Sequence, residues 1–103
     1  MLHWYPVYSH PHGPSREPWY ALTDRFAFRT RAHPDGQSPL PEFRIVDGDA
    51  YPTEHHRAGA AAEPWFSVIG SLVYPTAAHP SGASNTPWYQ ARDPHNEVAG
   101  RDR

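Results

Sequence analysis

A shift of 23 residues lays this chain on itself. Sliding by that period superposes Trp19–Pro41, Glu42–Pro64 and Trp65–Pro87 without a gap. The same shift places Met1–Pro18 on the last 18 positions of the unit and Trp88–Arg92 on its first five. Three positions recur in register throughout: His10, His33, His56 and His79; Gly13, Gly36, Gly59 and Gly82; and Pro18, Pro41, Pro64 and Pro87. A period of this length marks supersecondary units that cannot bury an apolar face alone and must pack on one another.

Each unit reads as a β-hairpin followed by an 11-residue loop. In Glu42–Pro64 the stretches EFRIV and DAYPT flank Asp47-Gly48, and Asp-Gly between apolar runs predicts a type I′ turn with positive φ at both central residues. Asp24-Arg25 and Gly70-Ser71 take that place in the neighbouring units. Three loops contain His-Pro-x-Gly, which suits a turn with Pro second and Gly fourth. Ser15, Ser38 and Ser84 follow two residues after the glycine, where a hydroxyl can bond loop backbone. One repeat domain is expected over 1–92, with units 19–41, 42–64, 65–87, and 88–92 plus 1–18; residues 93–103 form a polar tail expected to fray.

The two incomplete ends together make one whole unit. That is what a ring needs when its last hairpin is zipped from both termini, and closure removes exposed sheet edges. The predicted fold is therefore all-β: four hairpins, eight strands, closed into a pseudo-four-fold barrel or flower-like ring. An open hairpin solenoid is the alternative. With two-residue turns, unit position four faces nine and position two faces eleven. Alternation then puts Tyr20, Phe43, Phe66, Tyr89, Leu22, Ile45, Val68, Ala91, Trp4, Ala27, Ala50 and Val73 on one face, the predicted core. The opposite face carries Trp19, Trp65 and Trp88, with Tyr5, Phe28, Tyr51 and Tyr74, covered by the proline-rich loops.

Composition narrows the function classes. Nine Lys and Arg against eleven Asp and Glu give no basic field for nucleic acid, and the absence of cysteine excludes disulfides and thiolate metal sites. No apolar run reaches the roughly 18 residues of a membrane helix, and MLHWYPVYSH lacks the regions of a signal peptide, so a soluble cytoplasmic protein is expected. Thirteen prolines would suit disorder, but evenly spaced aromatics, 14% of the chain, argue for packing.

Three sets of residues carry candidate chemistry. In a closed ring, His10, His33, His56 and His79 lie on a circle, and four converging imidazoles would suit a divalent transition metal of tetragonal preference. The competing reading has each histidine bonded to its own loop. Unit 42–64 breaks the pattern with Glu42 in place of Trp, His56-Arg57 in place of His-Pro, and Glu54, His55 and Glu63 nearby, a carboxylate–histidine group able to do acid–base or metal work if it gathers. Trp19, Trp65, Trp88, Tyr5, Tyr51 and Tyr74 are candidate ligand-binding aromatics, forming a groove between hairpins. The aromatic pairs are similar in kind to choline-binding hairpin repeats, whose glycine and tryptophan spacing is absent. The period equals that of MORN hairpins, whose Gly-x-Gly pattern is also absent. No function is carried over from either.

No nucleophile motif, P-loop or dinucleotide turn occurs. The expected function is a small non-enzymatic interaction module that binds a protein or small ligand through its aromatic, loop-rich surface. The alternatives are a metal-binding protein or metalloenzyme using the repeat histidines, and a structural homo-oligomer subunit.

Overall fold

A computed structural model describes residues 2–93, so the expected tail lies, from residue 94 onward, outside the described residues. The strands are β1 (His3–Pro6), β2 (Tyr20–Leu22), β3 (Phe26–Arg29), β4 (Phe43–Val46), β5 (Asp49–Pro52), β6 (Phe66–Ile69), β7 (Leu72–Pro75) and β8 (Tyr89–Arg92). Each pairs antiparallel with its sequence neighbours, and β1 pairs with β8 to close the barrel. The closing pair runs His3↔Arg92, Trp4↔Ala91, Tyr5↔Gln90 and Pro6↔Tyr89. The N- and C-terminal strands thus complete a fourth hairpin, and no strand edge is left free to template association.

Turn chemistry sets the register. Asp47 (φ 51°) and Gly48 (φ 83°) both have positive φ, the type I′ turn that Asp-Gly predicts. Gly70 (φ 64°) is positive at the first central residue only, so Gly70-Ser71 makes a type II′ turn between Ile69 and Leu72. At Asp24-Arg25 the Thr23 side chain helps close the turn, its Oγ1 accepting from the Phe26 N–H at 3.2 Å. These turns pair Leu22 with Ala27, Ile45 with Ala50 and Val68 with Val73, the expected four-to-nine register.

Alternation from that register fills the barrel. Tyr20, Phe43, Phe66 and Tyr89 form a pinwheel around the axis, with neighbouring centroids 5.6, 5.5, 5.7 and 5.7 Å apart and rings at 72°, 80°, 73° and 83°. Edge-to-face contact sets positive ring edges on negative faces, worth about 0.5–1.5 kcal/mol per pair beyond area burial. Beside it Trp4, with 0% exposure, touches all four rings at 5.8–6.5 Å. The other units have Ala27, Ala50 and Val73 in Trp4's place, and their small side chains leave room for its indole. The seams between hairpins pair only two residues each, so the shared ring cluster binds one hairpin to the next. At the turn end Leu2, Val46 and Ile69 (66%) remain exposed.

Every loop contains the His-Pro-x-Gly-type turn, with the glycine N–H donating to the histidine carbonyl at 2.8 Å; His56-Arg57 makes it as well. Gly36 sits at φ +84° with no atom within 4 Å of an added Cβ. Gly36→Val therefore isolates backbone strain from crowding. We expect it to cost at least about 1 kcal/mol, read as a shifted urea midpoint; an unchanged midpoint would contradict this conformational role.

Candidate functional site

The loops fold back over one end of the barrel and are pinned at their bases. Thr30, Thr53 and Thr76 donate their hydroxyls to Pro18, Pro41 and Pro64 carbonyls at 2.5, 2.6 and 2.5 Å. Their N–H groups donate to the carbonyls of Trp19, Glu42 and Trp65. So held, each loop lays its histidine on one pinwheel ring: His10 on Tyr89, His33 on Tyr20, His56 on Phe43 and His79 on Phe66, at 5.0–5.3 Å.

Between successive histidines stands the first residue of a unit. Trp19 lies 4.7 Å from His10 and 5.2 Å from His33; Trp65 lies 4.8 and 5.2 Å from His56 and His79; Trp88 lies 4.8 and 5.1 Å from His79 and His10. The fourth gap, between His33 and His56, holds Glu42. An alternating ring of histidine and tryptophan, broken once by a carboxylate, caps the barrel.

All four imidazoles are committed to their own loops. Each Nδ1 accepts a backbone N–H two residues on, from His12, Asp35, Ala58 and Ser81, all at 3.0 Å. The neutral ring therefore carries its proton on Nε2. His10 Nε2–H donates to Tyr89 Oη at 3.2 Å and His33 Nε2–H to Tyr20 Oη at 3.1 Å. A metal at this end would have to displace backbone hydrogen bonds. Among the described residues no three His, Cys, Asp or Glu side chains are grouped so as to hold one.

Glu42, only 6% exposed, is the buried charge of the site. It accepts from Arg29 Nη1 at 2.9 Å and from Tyr20 Oη at 3.2 Å, and His56 Nε2 lies 3.4 Å away. Arg29 Nε is spent on the Gly36 carbonyl at 2.9 Å. His33, Tyr20, Glu42 and His56 thus form one polar chain across the fourth gap of the ring, satisfied from within as a buried carboxylate requires.

From the candidate group of Glu42, Glu54, His55, His56 and Glu63, the structure brings Glu42 and His56 together. Glu54, His55 and Glu63 are exposed and do not join them. Arg29, Tyr20 and His33 do. The signal was present: Arg29 stands where other units have Pro6, Pro52 and Pro75, and Glu42 stands where they have Trp. Two departures from the repeat pair with each other. The six candidate aromatics do not gather in one groove either. The tryptophans are half-buried in the histidine ring, Tyr5 is buried under the Arg92 guanidinium at 4.0 Å, Tyr51 lies outside under Arg44 at 5.2 Å, and Tyr74 stands opposite Ser67 in another hairpin.

Burial holds these histidines neutral. His10 is pushed down to about 4, first by desolvation and then by the charges of His12 and His33. His33, His56 and His79 are also lowered, chiefly by desolvation, although Glu42 pulls His33 and His56 the other way. Burial raises the Tyr20 and Tyr89 hydroxyls, with Glu42 adding to both. Below the ordinary histidine value of about 6.5 the unfolded chain binds more protons than the native one. Stability is then complete above that pH and falls as pH drops from there towards about 4, where His10 itself titrates. Between pH 7.5 and 5, His10 alone removes about 2 kcal/mol. Calorimetry is expected to show Tm lower by about 8 °C or more at pH 5; an unchanged Tm would contradict the buried neutral ring.

Neither a family model, nor a curated protein, nor a solved structure matches this chain.

Proposed function

We propose that the chain is a small non-enzymatic binding module whose ligand surface is the outer seam between hairpins 19–41 and 42–64. The observation that carries this reading is a pair of depressions that share Phe26 and Arg44. One of about 590 Å³ at the loop end includes Phe26, Pro41, Arg44, Pro52 and His55. A second of about 450 Å³ shares Phe26 and Arg44 and continues to Ile45 and Asp47. Aromatic and proline side chains beside several charged groups suit a ligand that is part apolar and part charged.

The barrel interior is filled by Trp4 and the pinwheel, and the loop-end ring is satisfied internally, so the outside is where binding has room. A fragment screen read by amide chemical shifts of the full chain is expected to move Phe26, Arg44 and Thr53 together. Ser67 and Gln90, which occupy Arg44's place in other units, should stay still. Hits scattered over the surface, or clustered elsewhere, would contradict the assignment.

A further inference from the structure

Pseudo-equivalent units supply internal controls for this seam. On the outer face Phe26 stands directly opposite Arg44, and Arg44 directly opposite Tyr51. The corresponding rows read Asp49–Ser67–Tyr74, Leu72–Gln90–Tyr5 and His3–Ala21–Phe28. Among these rows only this one sets an arginine between two aromatic residues in register, so the barrel does not need that arrangement for its own closure. In the second row the polar groups satisfy each other, Ser67 Oγ donating to Asp49 at 2.8 Å. Arg44 is exposed, its guanidinium lies 5.2 Å from the Tyr51 centroid, and no carboxylate is in ion-pair reach of it among the described residues.

Resting on the binding-module reading, we propose that this seam binds an extended peptide segment of about six residues carrying one acidic side chain, its carboxylate paired with Arg44 and a neighbouring apolar or proline side chain lying on Phe26. A guanidinium stacked on an aromatic face keeps its N–H edge free for a bidentate carboxylate pair. The two depressions share Phe26 and Arg44 and extend from the loop end along β4 to Asp47, a course that suits a chain rather than a compact ligand. Both strands of the seam already spend their edges inside a closed barrel, so the segment cannot add as a further strand and must be read through its side chains. Phe26, Pro41 and Pro52 form the floor on which its apolar groups rest. Arg25 and Asp47 both line one end of the row and Glu54 the other, so the charges beside Arg44 sum to a net negative one and favour a single carboxylate over an acidic run.

The test is an array of six-residue peptides with Pro and Leu at variable positions and a fixed central residue, probed with the full chain and scored by fluorescence anisotropy. Peptides centred on Glu are expected to bind about tenfold more tightly than the same peptides centred on Gln, and more tightly than all-Glu peptides. Arg44→Ala should erase the preference for Glu, Arg44→Lys should restore part of it, and Gln90→Ala should leave it intact. Phe26→Ala should weaken Glu and Gln peptides alike. Near-UV circular dichroism checks that each variant keeps its ring packing. Equal binding of Glu and Gln peptides, or a preference that survives Arg44→Ala, overturns the proposal while leaving the fragment-shift result to stand. No binding by any peptide overturns it too. Fragment shifts that avoid the seam would overturn the module reading itself.

Discussion

A chain truncated after Pro87 is expected to be unfolded rather than shortened by one unit. Removing Trp88–Arg103 deletes β8, which pairs with β1 over four residues and with β7 over two. It takes Tyr89 from the pinwheel, where that ring meets Trp4, Tyr20 and Phe66, and Trp88 from between His79 and His10. The Val7 N–H loses its acceptor, the Trp88 carbonyl, and β1 is left with two paired residues on one side only. An isolated two-residue ladder beside an opened core is not stable in water. Far-UV and near-UV circular dichroism should lose their folded signals together, with no cooperative melt. An open row of hairpins would behave otherwise, keeping most of its signal and a sigmoidal transition; that result would refute closure.

Trp4→Ala is expected to remove about 3–5 kcal/mol, a large part of the roughly 5–15 kcal/mol that a domain of this size possesses. The indole is fully buried and meets all four pinwheel rings. Nothing nearby can fill the gap, because its ninth-position counterparts are two alanines and a valine. Trp4→Phe should cost much less. It restores part of the volume and also removes an indole N–H that is buried without a hydrogen-bond partner among the described residues. Urea unfolding of the three proteins checks the order. A loss below about 1 kcal/mol for Trp4→Ala would mean that the centre of the barrel is looser than its geometry implies.

Periodic features were legible in the sequence because periodicity forces them. Once a turn fixes two-residue hairpins, Leu22 must face Ala27 and Ile45 must face Ala50, and the core face follows from alternation. Complementary termini likewise announced the β1–β8 pair. What the sequence hid were contacts between units. Trp19, Trp65 and Trp88 are expected under the proline-rich loops, and what the sequence did not show is that the loops set imidazoles against them, because each loop turns its histidine inward onto a pinwheel ring. Glu42 was read with the charges of its own unit. In space the first position of a unit lies beside the eleventh of the unit before, so its partner is Arg29. The Phe26–Arg44–Tyr51 row was invisible for the same reason, since it spans three strands and two units.

Because the ring, the capping histidines and the seam all assume that the chain closes on itself, the most direct measurement is the set of backbone proton contacts made by the first strand. Nuclear Overhauser spectra should connect His3–Pro6 to Tyr89–Arg92, with Trp4 opposite Ala91, alongside contacts from Trp4 to Tyr20. Spectra in which β1 touches only β2, and β8 only β7, would describe an open sheet and contradict the closed barrel.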